Sequence, residues 1–181
     1  MVYGKHPEQA IGFGGRERRL TGDQYDFFSI DFEFGNGVFS HSMSRQIDDC
    51  ANTLGERIMG TEGYTNCKNT IFNLDGSVKW RYEYPKNKDG RSTEVVKVSP
   101  YVQEHIHLVT SIRTNKPVVE AERTAISTLT AIMGRTAAYT GQKVTWEDML
   151  NSTEKLGPDK YEMGPVDMEF PVPVPGSQHK V

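Results

Sequence analysis

In Phe28-Ser29-Ile30-Asp31-Phe32-Glu33-Phe34 an apolar residue stands at every second position, and Gly35-Asn36-Gly37 follows at once. Strict alternation is the period of a strand with one buried face. Asn36-Gly37 is the pair preferred in a two-residue hairpin turn, because both turn positions need positive φ. Together they predict a hairpin that pairs Gly35 with Val38. Phe34 would then face Phe39, Phe32 face His41, Ile30 face Met43 and Phe28 face Arg45. The other side would carry Glu33 with Ser40, Asp31 with Ser42 and Ser29 with Ser44. One face is expected to be apolar, with His41 packed among aromatics, and the other small and polar.

More strands are expected at Ala10–Gly14, Glu56–Gly60, Thr70–Leu74, Val78–Tyr84 and Glu94–Val98, with Asp75-Gly76 as a second hairpin signal. Residues 85–93 read as an exposed excursion. The second half changes period. Ser99 is placed to cap a helix with Pro100 in its first turn, and Val102, Ile106, Val109 and Ile112 recur at helical spacing. Residues 120–140 predict a longer helix with a stripe of Ala125, Ile126, Leu129, Ile132, Met133 and Tyr139. Its small residues Ala121, Ser127, Ala131, Gly134 and Ala138 suit close approach to a neighbour. Thr145-Trp146-Glu147-Asp148 resembles a capping box opening a short third helix. Strands first and helices second predict an α+β fold: a large, mostly antiparallel, open-faced sheet with helices on one face. Residues 1–156 are expected to form this domain, and residues 157–181 an extended Pro-rich tail.

With 181 residues the chain can bury a real core. Net charge is −3 and 25% of residues are charged, which points away from disorder and from a nucleic-acid surface. No apolar run approaches the ~20 residues of a membrane helix. Cys50 and Cys67 are too few for a disulfide framework and are expected to be free thiols, and without a CxxC pair a structural zinc site is not expected.

Gly12-Phe13-Gly14-Gly15-Arg16-Glu17 has the first two glycines of a dinucleotide fingerprint. The third position is Glu17, a carboxylate where phosphate should lie, and an alternating strand follows instead of a helix. A nucleotide loop is therefore excluded. The glycines are expected to allow a bulge or bend at the strand end, and also to bring backbone close to a ligand and aim Arg16 at it.

Several ordered segments share a resemblance: "HPEQAIGFGGR", "YDFFSIDFEFGNGVFSHSMSRQIDDC", "GTEGYTN" and "YVQEHIHLVTSIRTNKPVVEAERTAISTLTAIMGRTAAYTGQKVTWEDMLNS" with the Pro-rich tail. Over residues 5–176 the chain resembles the C-terminal half of bacterial Gfo/Idh/MocA-family oxidoreductases. The resemblance implies an α/β domain that shapes a substrate site and mediates oligomer contacts. It also implies a separate N-terminal Rossmann domain that binds NAD or NADP and carries a Glu-Lys-Pro lysine as general acid/base, neither of which is present here. The sequence is then expected to be a piece of a longer protein, without cofactor-binding or catalytic residues of its own and inactive alone. The parent would move a hydride between nicotinamide and a sugar or polyol carbon. Localisation is left open.

Expected substrate contacts are Arg16, Arg45 and Gln46 near strand ends, where guanidinium and amide groups suit hydroxyls and carboxylates, and Tyr101 and Glu104 at the start of the first helix. The run Arg16-Glu17-Arg18-Arg19 otherwise reads as a solvated loop. His105 and His107 lie too far apart around a helix to share a metal. Glu104 and His107 share a face but lack the further carboxylates of a di-iron site, so no metal site is expected. Trp80 and Trp146 read as core or interface anchors. The polar sheet face is expected to form a homodimer or higher homo-oligomer. Two other functions are open: a domain of an NAD-dependent, redox-assisted glycosidase, and a stand-alone sheet module for assembly or carbohydrate binding.

Overall fold

The computed structural model describes residues 4–84, 86, 88–89, 98–158, 160–165 and 171–177. The fold is α+β and its strand pairings are antiparallel. The strands are divided between two four-stranded sheets, one in each of two compact units: residues 1–50 with 119–181, and residues 51–118. The first unit contains β1 (Gln9–Gly15), β2 (Phe27–Glu33) and β3 (Phe39–Arg45), then α2 (Ala121–Thr140), β8 (Val144–Thr145) and α3 (Trp146–Asn151). The second contains β4 (Ile58–Gly60), β5 (Gly63–Thr65), β6 (Thr70–Phe72), β7 (Val78–Arg81) and α1 (Pro100–Thr114).

In the first unit the sheet order is β3-β2-β1-β8, and α2 packs across β1 and β2. The core is Ala10, Ile30, Phe32, Phe34, Met133, Ala137, Ala138 and Val144. The β2 alternation thus buries Ile30, Phe32 and Phe34 beneath the helix, as its period requires. Only the C-terminal half of α2 is buried; Ala125 is exposed and Ile126, Leu129 and Ile132 are only partly covered. Gly134 lies so close to the sheet that a Cβ there would sit 2.7 Å from the Phe32 ring tip and 3.3 Å from Ile30.

The hairpin register differs by one residue from the sequence expectation. Phe34 N–H donates to Val38 at 2.9 Å, and Val38 N–H to Gly35 at 3.0 Å. The loop is therefore three residues, Gly35-Asn36-Gly37, with φ of 78°, 54° and 73°. Two glycines flanking an asparagine can hold three consecutive left-handed conformations, so the chain is not limited to a two-residue turn. A one-residue slip turns every side chain of one strand to the opposite face. Ser40 and Ser42 consequently face the same side as Phe32 and Ile30, while Phe39, His41 and Met43 face outward opposite Glu33, Asp31 and Ser29. His41 is not packed among the buried aromatics, and the outer face is not uniformly small and polar.

The glycine cluster makes no bulge either. Gly12, Gly14 and Gly15 pair in unbroken register with Ile30, Phe28 and Phe27. Glycine is needed at Gly14, where a Cβ would sit 2.4 Å from the Phe27 carbonyl oxygen, whereas at Gly12 a Cβ would meet the tip of the Ile30 side chain.

Described residues of the tail dock on this unit. The Tyr25 hydroxyl donates to the Pro173 carbonyl at 2.7 Å and Gly176 N–H to that of Thr140 at 2.9 Å. Trp146 stacks on His6 with ring centroids 4.1 Å apart. The α3 capping box forms: Asp148 N–H donates to Thr145 Oγ1 at 3.1 Å and Thr145 N–H to the Asp148 carboxylate at 2.8 Å. Thr145→Ala is expected to cost about 1 kcal/mol, measured by urea unfolding, because the Asp148 N–H loses its acceptor.

The second sheet runs β4-β5-β6-β7. Asp75-Gly76 closes the β6–β7 hairpin, where Ser77 donates both N–H and hydroxyl to Asp75 and holds that carboxyl below its ordinary range. Strand β5 lacks a sequence signal because Gly63-Tyr64-Thr65 carries no apolar alternation. Ser99 occupies the N-cap position of α1 without a side-chain cap bond; its carbonyl accepts from Val102 and Gln103. The helix has no buried residue, and its stripe of Val102, Ile106, Val109 and Ile112 is exposed. Residues 94–97 of the strand expected at Glu94–Val98 and most of the 85–93 excursion lie outside the described residues, and Val98 itself is in no strand.

Candidate functional site: a basic cavity at the end of the first sheet

The loop between β1 and β2 is built around Asp26. Its side chain is only 4% exposed, and it accepts the backbone N–H groups of Glu17 at 2.9 Å, Arg18 at 2.7 Å and Arg19 at 3.0 Å. These donors, that of Arg18 foremost, hold the Asp26 carboxyl below the usual carboxylate range against the opposing effect of burial. Arg16 secures the same loop, donating through Nε to the Arg19 carbonyl at 2.5 Å and through Nη1 to that of Gly22 at 2.6 Å. Two of its guanidinium donors are thus engaged with backbone.

Asp26 also fixes the end of β3, since its carbonyl accepts Gln46 N–H at 2.8 Å. Where loop and strand end meet lies a cavity of about 310 Å³ lined by Arg18, Arg19, Gln46, Ile47 and Asp48. The Arg19 Nε is buried and has no hydrogen-bond partner among the described residues. Neither Arg18 nor Arg19 is paired with a carboxylate there. The loop places its backbone amides on an internal carboxylate and leaves two guanidinium groups beside a polar hollow.

Of the expected contacts, Gln46 lines this cavity and Arg16 supports it from within the loop. Arg45 is the last residue of β3, opposite Phe27. Tyr101 and Glu104 belong to α1 of the second unit, where both are exposed. Glu17 and Arg18 are exposed, as a solvated loop implies, and Arg19 is partly covered; what the sequence reading missed is that Arg18 and Arg19 line a hollow. The available signal was Asp26, a carboxylate opening an aromatic strand and so carried into the interior with a need for donors.

The outer face of the first sheet presents Ile11, Phe13, Phe39 and Met43, with Phe13 66% and Met43 75% exposed. At its centre Asp31 lies 2.5 Å from His41 Nδ1, and Ser29 Oγ lies 3.4 Å from His41 Nε2. Ser–His–Asp is the order of a nucleophile relay. Here Asp31 is the in-register partner of His41 and Ser29, which pairs with Met43, is its diagonal neighbour on an exposed surface; 3.4 Å is long for an activating bond, so the array is the polar centre of an apolar face.

In the second unit an apolar hollow of about 460 Å³ lies against Ile58, Tyr64, Ile71 and Trp80, with the Lys79–Glu62 ion pair at 3.2 Å on its rim. Trp80 is half exposed there, not a core anchor. Cys50 and Cys67 are free, and the described residues contain no cluster of His, Cys, Asp or Glu able to hold a metal. No described helix is long and apolar enough to cross a membrane.

A dinucleotide does not fit the glycine segment. Its amides belong to an antiparallel ladder, and the amides just beyond it already bind the Asp26 carboxylate. Fold and site define an α+β protein whose first sheet has one helix-covered face, one open face and a basic cavity at its end. Comparison of the chain with protein-family models, curated proteins and solved structures finds no significant match.

Proposed function

We propose that this chain is the substrate-binding and assembly part of an NAD(P)-dependent oxidoreductase acting on a sugar or polyol, the coenzyme being held by a Rossmann domain outside these residues. The assignment to that reaction class rests on the ordered segments resembling Gfo/Idh/MocA oxidoreductases. The observation that carries the assembly role is the open sheet face, with Ile11, Phe13, Phe39 and Met43 exposed around the Asp31–His41 pair. Such a face loses apolar surface to water until another surface covers it. A second copy related by a two-fold axis supplies the same alternation of apolar and polar groups. At the end of the sheet, Gln46 can both donate to and accept from substrate hydroxyls.

Two measurements test this reading. Light scattering is expected to show a dimer that Met43→Arg converts to monomer with unchanged circular dichroism; a monomeric wild-type chain overturns the assembly role. Titration with NADH by calorimetry is expected to give no saturable heat, and tight binding would contradict a coenzyme held elsewhere.

A further inference from the structure

We propose that the cavity formed by Arg18, Arg19 and Gln46 binds a small hydroxylated anion, a carboxylate or phosphate ester of a polyol. In identifying this anion with the substrate, the proposal rests on the preceding reading; anion binding itself does not. Two observations converge on it. The cavity is polar and lined by two arginines that have no carboxylate partner among the described residues. In addition, the loop is already held by Asp26 and Arg16, so the guanidinium groups are presented by a backbone that need not order on binding.

A guanidinium fork matches the paired oxygens of carboxylate or phosphate. Gln46 and Asp48 set the second requirement. An amide beside a carboxylate favours a ligand that also offers hydroxyl donors, and Asp48 opposes a bare anion placed against it. A neutral polyol would leave the arginines without a counter-charge, whereas an anionic one serves all four side chains.

The test is calorimetry on the chain itself at low salt, with gluconate, glucose 6-phosphate and the neutral glucitol as probes. At least one anion should bind saturably, glucitol should not, and the anion that binds identifies the carboxylate or phosphate source. Arg18→Gln and Arg19→Gln should each raise the Kd by roughly 10-fold or more, the loss of one charge-assisted contact. Their backbone bonds to Asp26 need no arginine side chain, so circular dichroism should be unchanged. Arg123→Gln, which breaks the pair with Glu120 at the start of α2 and lies outside the cavity lining, should leave binding as it was. The proposal is overturned if neither anion binds at tens of millimolar, if glucitol binds as well as the anions, or if both cavity variants retain wild-type affinity. None of these failures alters the dimer or NADH results, and a monomeric or NADH-binding chain would leave the anion isotherm intact.

Discussion

Met133→Ala is expected to lower the unfolding free energy of the first unit by about 2–5 kcal/mol, the range for truncating a large buried side chain to alanine. Met133 has no exposed surface and belongs to the cluster that joins α2 to β1 and β2. Its neighbour Gly134 should fail for the opposite reason. A leucine there would drive a side chain into Phe32 and Ile30, which already stand within 3.3 Å of where a Cβ would lie. Gly134→Ala gains about 0.5–1 kcal/mol of helix propensity, but overpacking costs about 1–3 kcal/mol, so it should destabilise on balance. Urea unfolding followed at 222 nm measures all three variants. A Met133→Ala protein with wild-type stability would show that the helix does not seat on the sheet through this cluster.

Asp26→Asn is expected to lower the melting temperature by several degrees near neutral pH and to lose most of that effect in acid. The ionised carboxylate accepts three backbone donors, whereas an amide oxygen satisfies fewer of them and its NH₂ faces N–H groups. Because folding lowers this carboxyl's pKa, its contribution is fully present above the unfolded-state value of about 3.9. It is lost as pH falls through the lower folded-state value. The gap between wild type and variant should therefore be widest at about pH 7 and narrow below about pH 4. Asp75 and Asp148 are also held below their ordinary range, so both proteins will weaken in acid, and only the difference between them reports on Asp26. A constant gap from neutral to acid would show that Asp26 acts through packing and not through its charge. Arg18 and Arg19 should move with the loop, so Asp26→Asn is also expected to weaken anion binding.

The elements with a long or sharply bounded pattern were legible. Seven alternating residues make β2, the 121–140 run makes α2 with its Gly141 cap, and Thr145 with Asp148 opens α3. The strands β5 and β8 were not, since Gly63-Tyr64-Thr65 and Val144-Thr145 carry no apolar alternation and are defined by pairing with β4, β6 and β1. Of the cavity, Gln46 was legible as a polar residue just past a strand end. Arg18 and Arg19 were not, because a charged, solvated run does not reveal which of its side chains line a hollow until the buried carboxylate that organises its backbone is seen.

By itself the sequence determined the antiparallel α+β class, the hairpin after Phe34 and the helices of the second half, because periodicity and turn chemistry are local properties of the chain. Tertiary structure alone decided the face on which His41, Met43 and Phe39 lie, and which arginines meet in a cavity. A three-residue loop in place of a two-residue one inverts β3, and flanking glycines permit either. The donors that Asp26 takes up lie seven to nine residues earlier in the chain, brought to it by the pairing of β1 with β2.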